Sequence, residues 1–512
     1  MSSSQKYLID TNVFIGLEDA RQVNAEVASF LALANKHSVG VFIHEAAKDD
    51  IARDTDVNRR GISLSKLSKF QILKKVRGLT EQQLEESYGA LPKPNDIVDA
   101  TLLHALDTGA IDFLISEDRG LHARARQHAS HLSRRVLFIA DAFALLTGTY
   151  EPVEVPIRYV DEVGANEIPL TDNIFDSLRE GYDGFDEWWR TKCVNKHRRC
   201  WVVYDEGLAG LIVRKDESKE DTDATLPGKK ILKVCTFKVR PEKRGIKLGE
   251  LLLKQALWFA QSNKYDIVYL TTQAQQEALI DLLEYYGFCH TKTLNDKELI
   301  FEKFLSRDRV EIDDDEDLYE IAKRYYPRFY TGSRVQAYVI PIKESYHDML
   351  FPELRNNIQG DLLTPIGHGA RPTRPGNTIR KVYLCRAPAN LTSPGSLLFF
   401  YKGKSDLPPS QAITTIGIFE DMQEATSLME LMQLTGGRSV YREDELKKWQ
   451  ATTEKPVKVI NFLLAGYFSP PLVLGALKTE QIFGSRPPQS IAGLTRTQLD
   501  KLFAHLDLGF QT

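Results

Sequence analysis

Short apolar runs alternate with longer helical stretches through the first 150 residues, and this limits the fold more than any other feature of the chain. YLI (7–9), VGVFI (39–43), DFLIS (112–116) and VLFIA (136–140) read as buried strands, and 22–36, 64–76, 80–88 and 96–107 as helices. Strands alternating with helices predict a parallel sheet covered on both faces. The first run leads straight into Asp10, Thr11 and Asn12. A carboxylate in that place is costly unless hydrogen bonds or a cation meet it.

Length adds that this is one domain among several, because 512 residues exceed a single ordinary core. The 42% hydrophobic and 27% charged content is that of a globular chain, and a net charge of -4 excludes a global basic field for nucleic acid. Any such surface must be local. Five cysteines, none before Cys193, suit a reducing compartment better than a disulfide framework. MSSSQKYLID lacks the basic region and long apolar run of a signal peptide, and no stretch is apolar for long enough to span a bilayer. A cytoplasmic protein with no membrane partner is expected.

Composition then sets expected boundaries. The first domain covers 1–150. A second covers 151–306, entered through EPVEVP, with strands near 200–213, 230–239 and 266–272, helices near 248–262 and 274–286, and a solvated hairpin loop at 216–230. RDRVEIDDDEDLYE (307–320) reads as an acidic linker. The region 321–512 has short β-rich runs broken by Pro and Gly, then a helical tail near 496–507.

Acidic residues fall at the ends of the N-terminal strands and at the starts of the following helices. Asp10 ends the first strand, and Asp50 sits one or two turns past the second. Asp96 and Asp99 share a helix face, and Asp118 follows LIS. Ligands of open α/β sheets lie at the carboxyl ends of the strands. Converging carboxylates repel unless a hard divalent cation joins them. Asp96 also fits a helix cap. LIDTNVF, an acid in a helix followed by Ile, NDIVDATLLHA and LISEDRGL together resemble the PIN-domain nucleases over residues 5–146. That resemblance implies a metal-dependent endoribonuclease, with Asp10, Asp50, Asp99 and Asp118 as catalytic acids around Mg2+ or Mn2+. Asp96 competes for the metal, and Glu45 is a weaker candidate than Asp50. It also implies RNA as substrate, pairing as a homodimer, and a bacterial toxin or phage-defence role with an antitoxin or regulatory protein as partner.

KVCTFKVRPEKRGIKLGELLLKQALWFA (233–260) is a strand, a basic glycine-containing turn and an amphipathic helix. With YDIVYLTT and LLEYYGF it resembles the GNAT acetyltransferases over about 155–305. The resemblance implies acetyl-CoA as cofactor, held by Arg244, Gly245, Lys247 and Gly249. Lys247 stands where the family has its central Gly. Leu283 stands where the family often has a general-acid Tyr, and the tyrosines here are Tyr285 and Tyr286. The alternative function is therefore an N-acetyltransferase acting on an aminoacyl-tRNA or a protein amine, or a non-catalytic RNA-binding scaffold. Cys193, His197 and Cys200 lack zinc-site spacing and read as buried thiols beside a basic loop. Finally, PGNTIRKVYLCRA, SPGSLLFFYKGKS and ITTIGIFED resemble PUA-like folds of the ASCH and EVE kind, which implies a C-terminal β-barrel with an RNA-binding or regulatory role. The expected fold class is multidomain α/β and α+β: a PIN-like α/β/α domain, a GNAT-like mixed α/β domain and the PUA-like barrel.

Overall fold

The computed structural model describes residues 5–16, 25–47, 78–150, 160–205, 207–240, 247–295, 297–305, 312–313, 315–354, 378–405, 408–435, 443–484, 486–506 and 508–510, together with Ile51, Arg60, Leu67 and 70–73. Asp50, Arg244 and Gly245 lie outside them. The chain divides into two compact units, residues 1–154 with 425–457 and residues 155–424 with 458–512.

The first unit contains the expected parallel sheet. Its strands are β1 (Lys6–Ile9), β2 (Gly40–His44), β3 (Gln71–Leu73), β4 (Phe113–Ile115) and β5 (Val136–Leu137), in the order β3-β2-β1-β4-β5. Every neighbouring pair is parallel. The inner strands are apolar on both faces because helices cover both. Tyr7, Ile9, Phe113 and Ile115 join one core, and Leu8 and Leu114 the other. Helices α1 (Thr11–Gly16), α2 (Ala25–Lys36), α3 (Glu81–Tyr88), α4 (Pro94–Asp107), α5 (Arg119–His128) and α6 (Ile139–Tyr150) complete the layers. Two elements differ from expectation. Strand β3 falls where a helix over 64–76 is predicted, because FQIL is too short for period to separate strand from helix. VLFIA is strand only to Leu137, and Ile139 already begins α6.

The second unit opens with a seven-stranded sheet: β6 (Asp161–Gly164), β7 (Arg199–Tyr204), β8 (Leu208–Ser218), β9 (Lys230–Val239), β10 (Ile267–Gln273), β11 (Cys289–Leu294) and β12 (Glu298–Phe304), ordered β11-β12-β10-β9-β8-β7-β6. Neighbours are antiparallel except β9 and β10, which run parallel. Parallel neighbours need a crossover. Helix α7 (Leu248–Ser262) supplies it, and α8 (Glu277–Tyr285) follows β10. The hairpin beyond β8 is pinned to the sheet. Buried Glu302 accepts the Thr225 and Leu226 amides at 2.7 and 2.9 Å, and Lys233 bonds Asp223 at 2.7 Å.

Residues after 312 form α9 (Leu318–Tyr325), a β13 (Phe329–Tyr330) and β20 (Gly509–Phe510) pair, α10 (Glu344–Leu350) and a six-stranded sheet. That sheet comprises β14 (Ala337–Ile342), β15 (Arg380–Cys385), β16 (Leu397–Lys402), β17 (Ala412–Ala425), β18 (Val457–Val473) and β19 (Ala492–Gly493), in the order β15-β18-β17-β16-β14-β19. It does not close into the expected barrel. The order begins at β15 and ends at the two-residue β19, with no ladder between these edges among the described residues.

The two sheets of the second unit share one core. It runs from Trp201 and Leu252 through Tyr326 and Phe399 to Leu502. Buried Lys303 marks the join. Its ammonium donates to the carbonyls of Tyr286 and Arg324, both at 2.6 Å, and of Lys323 at 3.3 Å. These carbonyls end α8 and α9, where helical donors run out and positive charge is favoured; that of Lys323 also accepts the Tyr326 amide at 3.3 Å.

Candidate functional site

Of the N-terminal acids, Asp10, Asp96, Asp99 and Asp118 are described, and three of them have protein partners. Asp10 is buried at 6% exposure. Its Oδ1 accepts the Thr11 amide at 2.6 Å and its Oδ2 accepts the Ser116 hydroxyl at 2.6 Å. Asn12 donates to Ser116 Oγ at 3.2 Å and accepts the Glu117 amide. Asp118 caps α5, taking the Gly120 amide at 2.6 Å. Asp96 takes the Lys93 amide at 2.8 Å, as a cap does, and pairs with Arg124 at 2.6 Å. Asp99 shares its neighbourhood with Asp10 and Asp118. Burial first, and then those two carboxylates, push it up to about 7. His122, held against the Ser116 carbonyl at 2.9 Å, is pushed down to about 4 by burial. Glu45 donates its amide to the Leu73 carbonyl at the end of β3. Among the described residues no group of three or more His, Cys, Asp or Glu is placed to hold a metal ion.

The second unit has a different kind of opening, built by the backbone. Along β8 and β9 the ladder pairs Val213 with Thr236 and then Arg214 with Val234, so Cys235 is an extra residue on β9. Such a bulge bends and twists its strand. On the other side, β9 pairs with β10 only from Ile267↔Ile231 to Leu270↔Val234. The strands therefore part at the bulge, although β9 continues to Val239 and β10 to Gln273. The gap lies at the carboxyl ends of a parallel βαβ pair, where α/β sheets bind ligands.

The start of α7 lies at the same end. Lys247 precedes the helix with φ 59° and ψ 27°, the left-handed conformation that glycine adopts most easily. The turn thus takes a glycine-like shape with a lysine in it. Lys247 makes no capping side-chain bond, since its ammonium carries no acceptor for the amides of the first turn, Gly249 among them. A helix start of this kind favours an anion.

On the α7 face of the sheet lie Leu232, Val234, Trp201 and Ile212. On the opposite face Cys235 packs beside Trp189, Cys193 and Cys200, and the Arg198 guanidinium lies 3.2 Å from its sulfur. Cys193 and Cys200 are buried, and burial pushes both thiols up to about 12. Further along this face the Tyr269 hydroxyl donates to Glu217 at 2.5 Å, and Lys215 pairs with Glu217 at 2.7 Å. Leu283 is core, as is Tyr286, while the Tyr285 hydroxyl meets that of Tyr319 at 2.9 Å.

One comparison with known protein families bears on this sheet. Residues 166–288 match the family model described as the acetyltransferase (GNAT) family, which marks a GNAT domain in the second unit. No curated protein matches the chain. Among solved structures, the chain is similar to a putative acyl-CoA N-acyltransferase from Klebsiella pneumoniae, at 18% identity and TM-score 0.22 over 29% of this chain and 99% of that one. A PaiA N-acetyltransferase from Thermoplasma acidophilum in complex with coenzyme A gives 14%, 0.23, 29% and 98%. An ASCH protein from Zymomonas mobilis gives 16% and 0.22 over 33% of this chain and 94% of that one.

These findings correct the main functional expectation. The metal-dependent endoribonuclease reading is overturned, because the family match is to acetyltransferases. The toxin or phage-defence role that depended on it falls too. Its physical basis is also weak: Asp96 is neutralised by Arg124, Asp118 caps a helix, and Asp10 is met by a hydroxyl and an amide. Among the described residues no helix is long and apolar enough to cross a membrane.

Sequence reasoning gave Cys235 no role. One signal was available: Leu232, Val234 and Phe237 all pack on the α7 core, and the odd step from 234 to 237 breaks strict alternation.

Proposed function

We propose that the protein is an acetyl-CoA-dependent N-acetyltransferase whose acceptor is an amine, of a protein or of an aminoacyl-tRNA. The observation that carries this reading is the GNAT match over 166–288, a span that includes the whole β9–α7–β10 unit. The residues fit the cofactor. Lys247 and the amides at the start of α7, Gly249 included, would hold the pyrophosphate, with Arg244 and Gly245, which precede them in the sequence, as further candidates. The stretch of β9 beyond Val234, unpaired to β10, would offer main-chain groups to the amides of the pantetheine arm. When bound, acetyl-CoA supplies an activated thioester. The chain orients the acyl group at the bulge and excludes water with the apolar face of Leu232 and Val234. The acceptor amine approaches from the opposite face, where Thr236, Thr271 and Gln273 flank the gap. The leaving thiolate has no tyrosine at position 283, so its proton comes from another group or from solvent.

The test is calorimetric titration with acetyl-CoA, followed by release of free CoA thiol in the presence of amine-bearing peptides and of aminoacyl-tRNA. Binding with acceptor-dependent thiol release is the expected result. An absence of both would overturn the reading.

A further inference from the structure

Glu250 is the third residue of α7, the position from which a glutamate commonly reaches back to cap its own helix. Here it does not. Its Oε1 accepts the backbone amide of Arg380, in edge strand β15, at 2.7 Å. Glu250 is buried at 8% exposure. The Arg380 side chain extends the connection: its guanidinium pairs with Glu420 on β17 at 2.9 Å and lies 4.7 Å from the centre of the Tyr285 ring at the end of α8. Two further links run along the same helix. Lys254 pairs with Glu353, which also accepts the Tyr467 hydroxyl at 2.8 Å. The Trp258 indole donates to Tyr326 at 3.0 Å, and Tyr326 donates to the Leu464 carbonyl at 2.7 Å.

A helix that only covered its own sheet would be buried along one stripe. In α7, residues 248, 250–254, 256, 257 and 260 are all buried, so the helix has partners on more than one side. Its sheet side is apolar, and its other side carries Glu250, Lys254 and Trp258, each bonded to the region after residue 312. A buried polar network of this kind specifies one geometry, because each broken bond leaves a costly orphan.

We infer that the region after residue 312 positions the start of α7 through the Glu250–Arg380 bond, so that binding of an acyl-CoA at this start and the order of β15 are coupled. Glu250 is a positioning residue and touches no reacting atom. The ligand half of this inference rests on the acetyl-CoA reading above; the clamp itself does not. Coupling is reciprocal: whatever fixes β15 tightens acyl-CoA binding, and acyl-CoA stiffens β15.

The full chain tests both halves. Hydrogen exchange is followed at peptides covering 248–253 and 380–385 in the wild type, Glu250→Leu and Glu250→Gln, with and without acetyl-CoA, and affinity is read by calorimetry. Glutamine keeps an acceptor for the Arg380 amide and leucine does not. Without ligand, both peptides should exchange about tenfold faster in Glu250→Leu and at the wild-type rate in Glu250→Gln. Acetyl-CoA should slow the 380–385 peptide of the wild type, and its Kd should rise about tenfold in Glu250→Leu but less than about twofold in Glu250→Gln. Unchanged exchange in ligand-free Glu250→Leu overturns the clamp. A wild type that binds acetyl-CoA with no effect on 380–385 overturns the coupling. If Glu250→Leu does not fold, wild-type exchange in 380–385 with and without acetyl-CoA still decides. A wild type that fails to bind acetyl-CoA while the ligand-free arm behaves as expected overturns the cofactor reading and the coupling, and upholds the clamp.

Discussion

The first unit and the second unit each place a parallel strand pair beside polar side chains, and the two pairs end differently. In the first, β1 and β4 stay paired to Ile9↔Ile115, and the bonding continues past the strand as Asp10 donates its amide to Ile115. The acids that follow are met by nearby amides, a hydroxyl and an arginine. In the second, β9 and β10 separate with three residues of β10 still to run. The difference teaches that carboxylates at strand ends do not by themselves make a reactive site. The local donors decide whether they are structural. A gap between strands needs a geometric cause, and here the extra residue at Cys235 is that cause.

The largest expected effect comes from removing that cause. Deleting Cys235 would restore strict alternation, with Val234 opposite Arg214 and Thr236 opposite Val213, and let β9 continue beside β10. On the proposed reading, acetyl-CoA affinity should fall about a hundredfold, the equivalent of about two main-chain hydrogen bonds. Near-normal affinity in a folded deletion variant would break the comparison.

A second expected effect lies in the first unit. Arg124 neutralises Asp96 and also donates to the carbonyls of Tyr88 and Ala90 at 3.0 and 2.9 Å. Arg124→Met should therefore cost roughly 2 kcal/mol in a urea titration, because Asp96 loses its cation and the carbonyls of Tyr88, Gly89 and Ala90 lose their donor at once. A loss under about 0.5 kcal/mol would show that these groups are met by water instead.

Asp99 gives a pH-dependent version of the same test. Its carboxyl sits near 7 in the fold against an ordinary 3.8. Between those values the unfolded chain has released its proton and the folded chain keeps it. Stability therefore falls as pH rises from about 3.8 to about 7, and the penalty persists above 7. Asp99→Asn should be more stable than the wild type by about 2 kcal/mol at pH 8, about half the value of a fully buried shift of this size, and equal to it near pH 3.8. His122 contributes the opposite slope between 6.5 and 4 in both proteins and cancels in the difference. Equal stability at both pH values would mean that neither burial nor the Asp10 and Asp118 carboxylates raise Asp99.

The smallest expected effect is that of metal. Adding millimolar Mn2+ or EDTA should move the melting temperature by less than about 1 °C, since a cation bound by the folded state would raise it through mass action. A rise of several degrees with Mn2+ would sharpen the comparison in the opposite sense and restore a ligand to the acids.

Much of the fold was legible in the sequence, for a physical reason in each case. The parallel first sheet follows from continuous apolar runs such as YLI and DFLIS, and α7 from its apolar periodicity between two strands. Strand β3 was not legible, since a three-residue strand, QIL, carries no period. The open six-stranded sheet was not legible either, because closure depends on which edges meet and not on strand pattern. In the candidate site, Lys247 and Gly249 stand out in the sequence through the glycine-containing turn before a helix, while the left-handed conformation of Lys247 is a property of the fold. Cys235 and the Glu250–Arg380 bond were missed because one acts through register and the other spans 130 positions. The acids misled for the converse reason. Asp99 does lie near Asp10 and Asp118, but the hydroxyl of Ser116 and the guanidinium of Arg124 that meet Asp10 and Asp96 come from other parts of the chain.

The most direct measurement of the central claim is amide hydrogen exchange across the two parallel pairs, with and without acetyl-CoA. The account predicts that the ligand slows exchange in 235–239 of β9 and in the amides of 248–251, while 6–10 and 113–116 are unchanged. Slowing confined to the first sheet, or none in either, would contradict it.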